Sequence, residues 1–162
     1  MNKGTGVLQS VERAMRVLDH IAAAPGPVRA IGFHQAPHAT AFGKLMLARL
    51  PADDRETLLE HTGTPAVTPA TVTDRGLLAR QLRQVRGTGL AVEVDEFQDG
   101  LSCMAAPVTD AAGRFVGAVA VSMPTRRFHE DRWSVERAVR LGAVRATRAI
   151  ALTTAARTGC AR

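Results

Sequence analysis

The side chains best suited to chemistry in this chain are few: Cys103 and Cys160, His34 and His38, and a set of carboxyls around Glu93 and Asp95. His34 and His38 stand four positions apart, a spacing that suits a shared metal ion on one helix. Pro37 falls between them and breaks any such helix, so no metal site is expected. Cys103 sits within an apolar run, where a thiol is normally buried and inert rather than nucleophilic. Cys160 lies near the end of the sequence, so both cysteines are read as free thiols of a cytoplasmic protein. No Gly-rich phosphate loop, GxSxG elbow or HExxH pair occurs, so no catalytic residue, cofactor or enzymatic activity is expected.

A small binding pocket has more support. A helix beginning at Ala41 would direct backbone N–H groups and a positive dipole end at a carboxylate. Ala39, Thr40, Ala41 and Gly43 around that start are small enough to leave room for it. Cys103 and Ser122 are polar positions in two otherwise apolar strands and would point the same way if those strands are neighbours. Glu93 and Asp95 lie at the mouth of the preceding strand. Equally, Cys103 and Ser122 can be small core residues and Thr40 a plain helix cap.

The elements that must hold these residues follow from periodicity. Residues 7–24 place Leu8, Val11, Met15 and Leu18 on one helical face, and Pro25, Gly26 and Pro27 stop that helix. A short extended piece over 28–33 follows, then a helix over about 41–49 capped by Thr40, and a further short helix after Pro51 carrying Leu58 and Leu59. Residues 62–73, rich in Thr, Pro and Gly, form a loop. A helix starting at Thr73 or Asp74 carries Leu78, Leu82 and Val85 and ends at Gly87 and Gly89. Strands are expected over 90–94, 101–109 and 114–122, the last two joined by a hairpin turn at 110–113. A final helix over about 131–154 shares one face among Val135, Val139, Ala146 and Ile150, with Arg137, Arg140, Arg145 and Arg148 opposite. The class is α+β, with one mainly antiparallel sheet and flanking helices.

Composition bounds the rest. With 162 residues, 46% apolar and 22% charged, the chain supports one well-buried domain. No stretch is long and apolar enough for a membrane span and no secretory leader is visible. The net charge of +6 invites a nucleic-acid reading, but arginine-rich helices also serve as solvated faces, and charge alone does not decide it.

Several motifs resemble those of IclR-type bacterial transcription regulators. HATAFGK at 38–44 resembles the HATALGK-like signature of their sensing domain. LRQVRGTGLAV at 82–92, with EFQDGLSCMAAPV at 96–108, is similar to their RRRGYAVDxEEFxxGxxCxAAPV region, and DAAGRFVGAVAVS at 110–122 is similar to the segment after it. VLQSVERAMRVLDHIAAA at 7–24 resembles the first helix of their winged helix-turn-helix, with its QSVERALRVLE opening. The resemblance implies a GAF-like sandwich that binds a small organic acid and assembles as dimers or tetramers. It places ligand contacts on Ala41, Phe42, Glu93, Cys103 and Ser122. Three departures narrow such a pocket or remove a donor: Glu93 where Asp is usual, Ala120 where a hydroxyl can occur, and the bulky Phe42. Residues 1–24 would be a remnant of the DNA-binding domain, 25–27 a junction, 28–157 a truncated effector-binding domain and 158–162 a tail. No recognition helix separates the first helix from the sensor, so operator binding is expected to be impaired or lost. The alternatives are a module forming mixed oligomers with intact paralogues, or a degenerate remnant whose incomplete sheet folds poorly.

Overall fold

The computed structural model describes residues 36–159, with side chains up to Leu152. The expected helix at 7–24, the junction at 25–27, the extended piece at 28–33, and His34 and Cys160 lie outside the described residues. Within them the order is α1 (Ala41–Arg49), α2 (Ala52–Thr62), α3 (Arg75–Thr88), β1 (Ala91–Val94), β2 (Leu101–Thr109), β3 (Phe115–Pro124) and α4 (Thr125–Gly159). The strands form one antiparallel sheet in the order β1-β2-β3. This is the α+β arrangement expected from the residue pattern.

Local chemistry sets the boundaries. The Thr40 hydroxyl accepts from Gly43 N–H at 3.0 Å and starts α1. Asp74 caps α3 by accepting from Leu77 N–H, and Gly89 ends it at φ 64, a left-handed conformation that glycine adopts without strain. In the β2–β3 turn the Asp110 carboxylate accepts from Ala112 and Arg114 N–H, each at 2.9 Å, and Gly113 takes φ 76.

The sheet is covered on both faces. Leu45, Leu47, Leu59, Leu78, Leu82 and Val85 pack against Ala91 and Ala105 on one side. On the other, Phe128, Val135, Val139 and Ala143 of α4 pack against Met104, Ala106, Val108 and Val119. The sequence pattern places the start of the last helix near 131. The structure starts it at Thr125, directly after β3, which makes the fully buried Phe128 a core residue. The Thr125 hydroxyl, within hydrogen-bonding reach of both Asp95 and Ser102, fixes this junction. The pairs Arg126–Glu130 and Arg127–Asp131, four residues apart, support the added turns. Arg140, expected on the solvated face, donates instead to Thr88 O at 3.0 Å and tethers α4 to the end of α3.

Candidate functional site

Side chains directly opposite one another in an antiparallel pair share a face of the sheet. Glu93 of β1 is opposite Cys103 of β2, and Cys103 is opposite Ser122 of β3. Three of the residues singled out in the sequence therefore stand in one transverse line, on the face that carries α1. The next line on that face is Ala91, Ala105 and Ala120, so the polar line borders a floor of methyl groups. Ala41, fully buried, belongs to the cluster that includes Ala91 and Ala105, which sets the start of α1 beside this floor.

The three side chains differ in exposure and in protonation. Glu93 is 3% exposed, and burial raises its carboxyl to about 7 despite the hydrogen bonds it accepts from Glu96 and Phe97 N–H. It is therefore poised between acid and anion near neutral pH. Burial also pushes the Cys103 thiol up to about 11, against the pull of its hydrogen bond with Ser122. Cys103 is thus a neutral thiol rather than a nucleophile. Ser122 is exposed, so the line runs from buried acid to open hydroxyl. Such a trio offers O–H and S–H donors to a ligand's oxygens and no poised nucleophile.

The start of α1 is less open than a carboxylate cradle requires. Ala39 and Ala41 are fully buried, and Thr40 takes up the Gly43 N–H. Gly43 lies so tightly on the preceding turn that a Cβ there would come within 2.1 Å of Pro37 O. Phe42 is half-buried, and its ring centroid is 6.5 Å from that of Phe115, over which Arg49 stacks at 5.5 Å. Phe115 precedes Ser122 by seven residues, roughly 23 Å of extended strand, so this ring contact lies at the far end of β3 from the polar line. His38 is buried with Nε2 3.0 Å from Pro65 O, and the described residues contain no group of side chains arranged to hold a metal ion.

One feature escaped sequence reasoning. Lys44 donates to Glu96 Oε1 at 2.5 Å, with both side chains buried. Burial lowers the Lys44 ammonium, while Glu96 and Glu93 act to raise it. Lys44 and Glu96 each sit in a motif noted above, yet they are 52 positions apart and nothing local signals their pairing. The segment carrying Glu96 is held firmly: Thr68 and Thr71 hydroxyls donate to the carbonyls of Asp95 and Glu96, and Asp95 adopts φ 58. A cavity of about 330 Å³ wraps the β1 edge beside Lys44 and Glu96, and another of about 540 Å³ lies between Arg49, Arg86 and Phe115, toward the far end of β3.

Comparison with known proteins places these features in context. The family described as bacterial transcriptional regulator IclR, C-terminal, matches residues 16–150. The HTH-type transcriptional repressor AllR of Klebsiella pneumoniae is 35% identical over 96 residues, 59% of this chain and 35% of the repressor. The chain thus matches about a third of that relative's length. The IclR structure from Thermotoga maritima aligns with a TM-score of 0.64 at 29% identity, over 70% of this chain and 47% of that one. A double mutant of the PobR inducer-binding domain from Acinetobacter, in complex with 3-hydroxybenzoic acid, aligns with a TM-score of 0.62 at 26% identity, over 68% and 65% of the two chains.

Proposed function

We propose, for a chain that belongs to the IclR family of bacterial transcriptional regulators and carries their C-terminal effector-binding domain, that it senses a small organic acid on the α1 face of its sheet. The observation that carries this reading is the line Glu93–Cys103–Ser122, three potential donors in register over a floor of alanines. Protonated Glu93, the Cys103 thiol and the Ser122 hydroxyl would donate to the acid's oxygens, while Ala41 bounds the site. Phe42, its ring packed on Phe115 at the far end of β3, stands outside this site. The 3-hydroxybenzoic acid held by the PobR domain supports a ligand of this class. The protein is read as a cytoplasmic, non-enzymatic homo-oligomer, a dimer or tetramer, and no helix among the described residues is long and apolar enough to cross a membrane.

The test is a thermal-shift screen with 3-hydroxybenzoate and a panel of small carboxylic acids. A saturable rise in Tm is expected for at least one acid, and Ser122→Ala or Cys103→Ala should shrink it. If no acid moves the transition, or if both variants respond like the parent, the site is misassigned.

Operator binding in the family's manner is proposed to be impaired or lost, because the sequence pattern passes from 7–24 through 25–27 to the sensor with no recognition-helix pattern between. Sequence-specific binding that survives about 200 mM salt would overturn this, since purely electrostatic binding weakens steeply there. A second reading, pairing with an intact paralogue, is favoured by the outer face of α4. Trp133 is 81% and Leu152 73% exposed there, an apolar display that would suit a partner. Co-expression with a full-length relative should then yield mixed oligomers. A degenerate remnant, by contrast, would show no cooperative melt.

A further inference from the structure

The 330 Å³ cavity at the edge of β1 is distinct from the polar line. Leu90, Val92 and Val94 belong to the sheet face that carries α4, whereas Cys103 and Ser122 belong to the opposite face. α3 supplies Gln81, Gln84 and Val85 to its wall.

Two of its lining residues carry buried oxygens with no hydrogen-bond partner among the described residues: Glu96 Oε2 and Gln81 Oε1. Glu96 is only 6% exposed, and its other oxygen is already taken by Lys44. A buried acceptor left unmet costs about 1–3 kcal/mol, and such groups are normally satisfied by protein, water or ligand. Both orphans here are acceptors, so an occupant must bring donors. A carboxylate would set its own lone pairs against two oxygens and is excluded on that ground. Val85, Leu90, Val92 and Val94 give the wall an apolar stretch beside Lys44, Gln84 and Arg132.

Charge narrows the choice further. Glu93, Glu96 and Lys44 form one buried group in which two carboxyls face a single ammonium. When Glu93 sheds its proton, a second cation balances the pair of carboxylates. Arg132 also lines the cavity, but it is exposed and its guanidinium stacks 5.6 Å over Phe128 rather than on Glu96. A primary ammonium has three N–H donors and no lone pair, and an alkyl tail matches the aliphatic wall.

We propose that this cavity binds a small primary alkylammonium, its N–H groups donating to Glu96 and Gln81 and its hydrocarbon lying on Val85, Leu90 and Val92. The site lies away from Cys103 and Ser122 and meets the acid-sensing line only through Glu93, whose carboxyl accepts from Glu96 N–H.

The probe is n-butylammonium, titrated into the full chain by calorimetry and thermal shift. Tetramethylammonium, which has no N–H, and butyrate serve as controls at matched ionic strength. Saturable binding of butylammonium is expected, without competition from either control. Gln81→Leu should weaken it about tenfold, the equivalent of one hydrogen bond to a charged group. Arg132→Gln, a change at an exposed position, should tighten it by removing a repelling charge from the mouth. Ser122→Ala should leave it unchanged, while altering the response to acids. Equal responses to butylammonium and tetramethylammonium, or an absence of saturable binding, would mean that ordered water alone satisfies the two oxygens and would overturn the proposal. So would unchanged affinity in both Gln81→Leu and Arg132→Gln.

Discussion

Replacing Glu93 with glutamine keeps the shape of the side chain and an oxygen to accept the Glu96 N–H, but removes the ionisation. The folded protein holds this carboxyl at about 7, against 4.5 for a free glutamate, chiefly because burial disfavours the charged form. The sign follows from proton binding. Between these two values the folded state keeps a proton that the unfolded chain has released, so stability from this group falls as pH rises from 4.5 to 7 and then levels off. The full shift corresponds to about 3 kcal/mol. Discounted for solvent screening, a value of roughly 2 kcal/mol is expected. Glu93→Gln should therefore match the parent near pH 4.5 and exceed it by roughly 2 kcal/mol at pH 8, on the order of 5–10 °C in Tm for a domain of this size. Thermal melts of both proteins across pH 4.5–8 measure the difference directly. Parallel Tm profiles over that range would show that burial does not hold the proton on Glu93, and the donor role assigned to it would fall with that result.

Two further outcomes test the packing. Gly43→Ala should destabilise the protein by roughly 2–3 kcal/mol in a denaturant melt, because the new Cβ meets backbone atoms of Pro37 at 2.1–2.7 Å that cannot rotate aside; a cost under about 0.5 kcal/mol would contradict that contact. In a Cys160→Ala background, Cys103 should react with a disulfide reagent at pH 8 at least about a hundredfold more slowly than a free cysteine, since a thiol held at about 11 is almost wholly protonated there. Rapid labelling would mean that the thiol is not buried as described.

Much of the fold was legible because its signals are local. The α1 bounds follow from Thr40 and the apolar run behind it, α3 from Asp74, its leucine stripe and Gly89, and the β2–β3 hairpin from Asp110 and Gly113. The start of α4 was missed because residues 125–130 carry charge and one aromatic, with no apolar repeat. What makes them helical is Phe128 docking on the sheet and the Thr125 hydroxyl bonding at a distance to Asp95 and Ser102. The expectation that Cys103 and Ser122 share a face required only that their strands be neighbours, which the hairpin ensures. The Lys44–Glu96 pair could not be read in this way, since a contact between α1 and the loop after β1 depends on the whole assembly.

The register of the three strands has a consequence for how such a sensor changes over time. Each member of the Glu93–Cys103–Ser122 line belongs to a different strand, and each projects from a backbone locked by ladder bonds that no side chain makes. One codon can therefore exchange an acid, a thiol or a hydroxyl while the other two keep their places. On the proposed reading of this line as the ligand site, a lineage can explore new ligands one step at a time without passing through an unfolded intermediate.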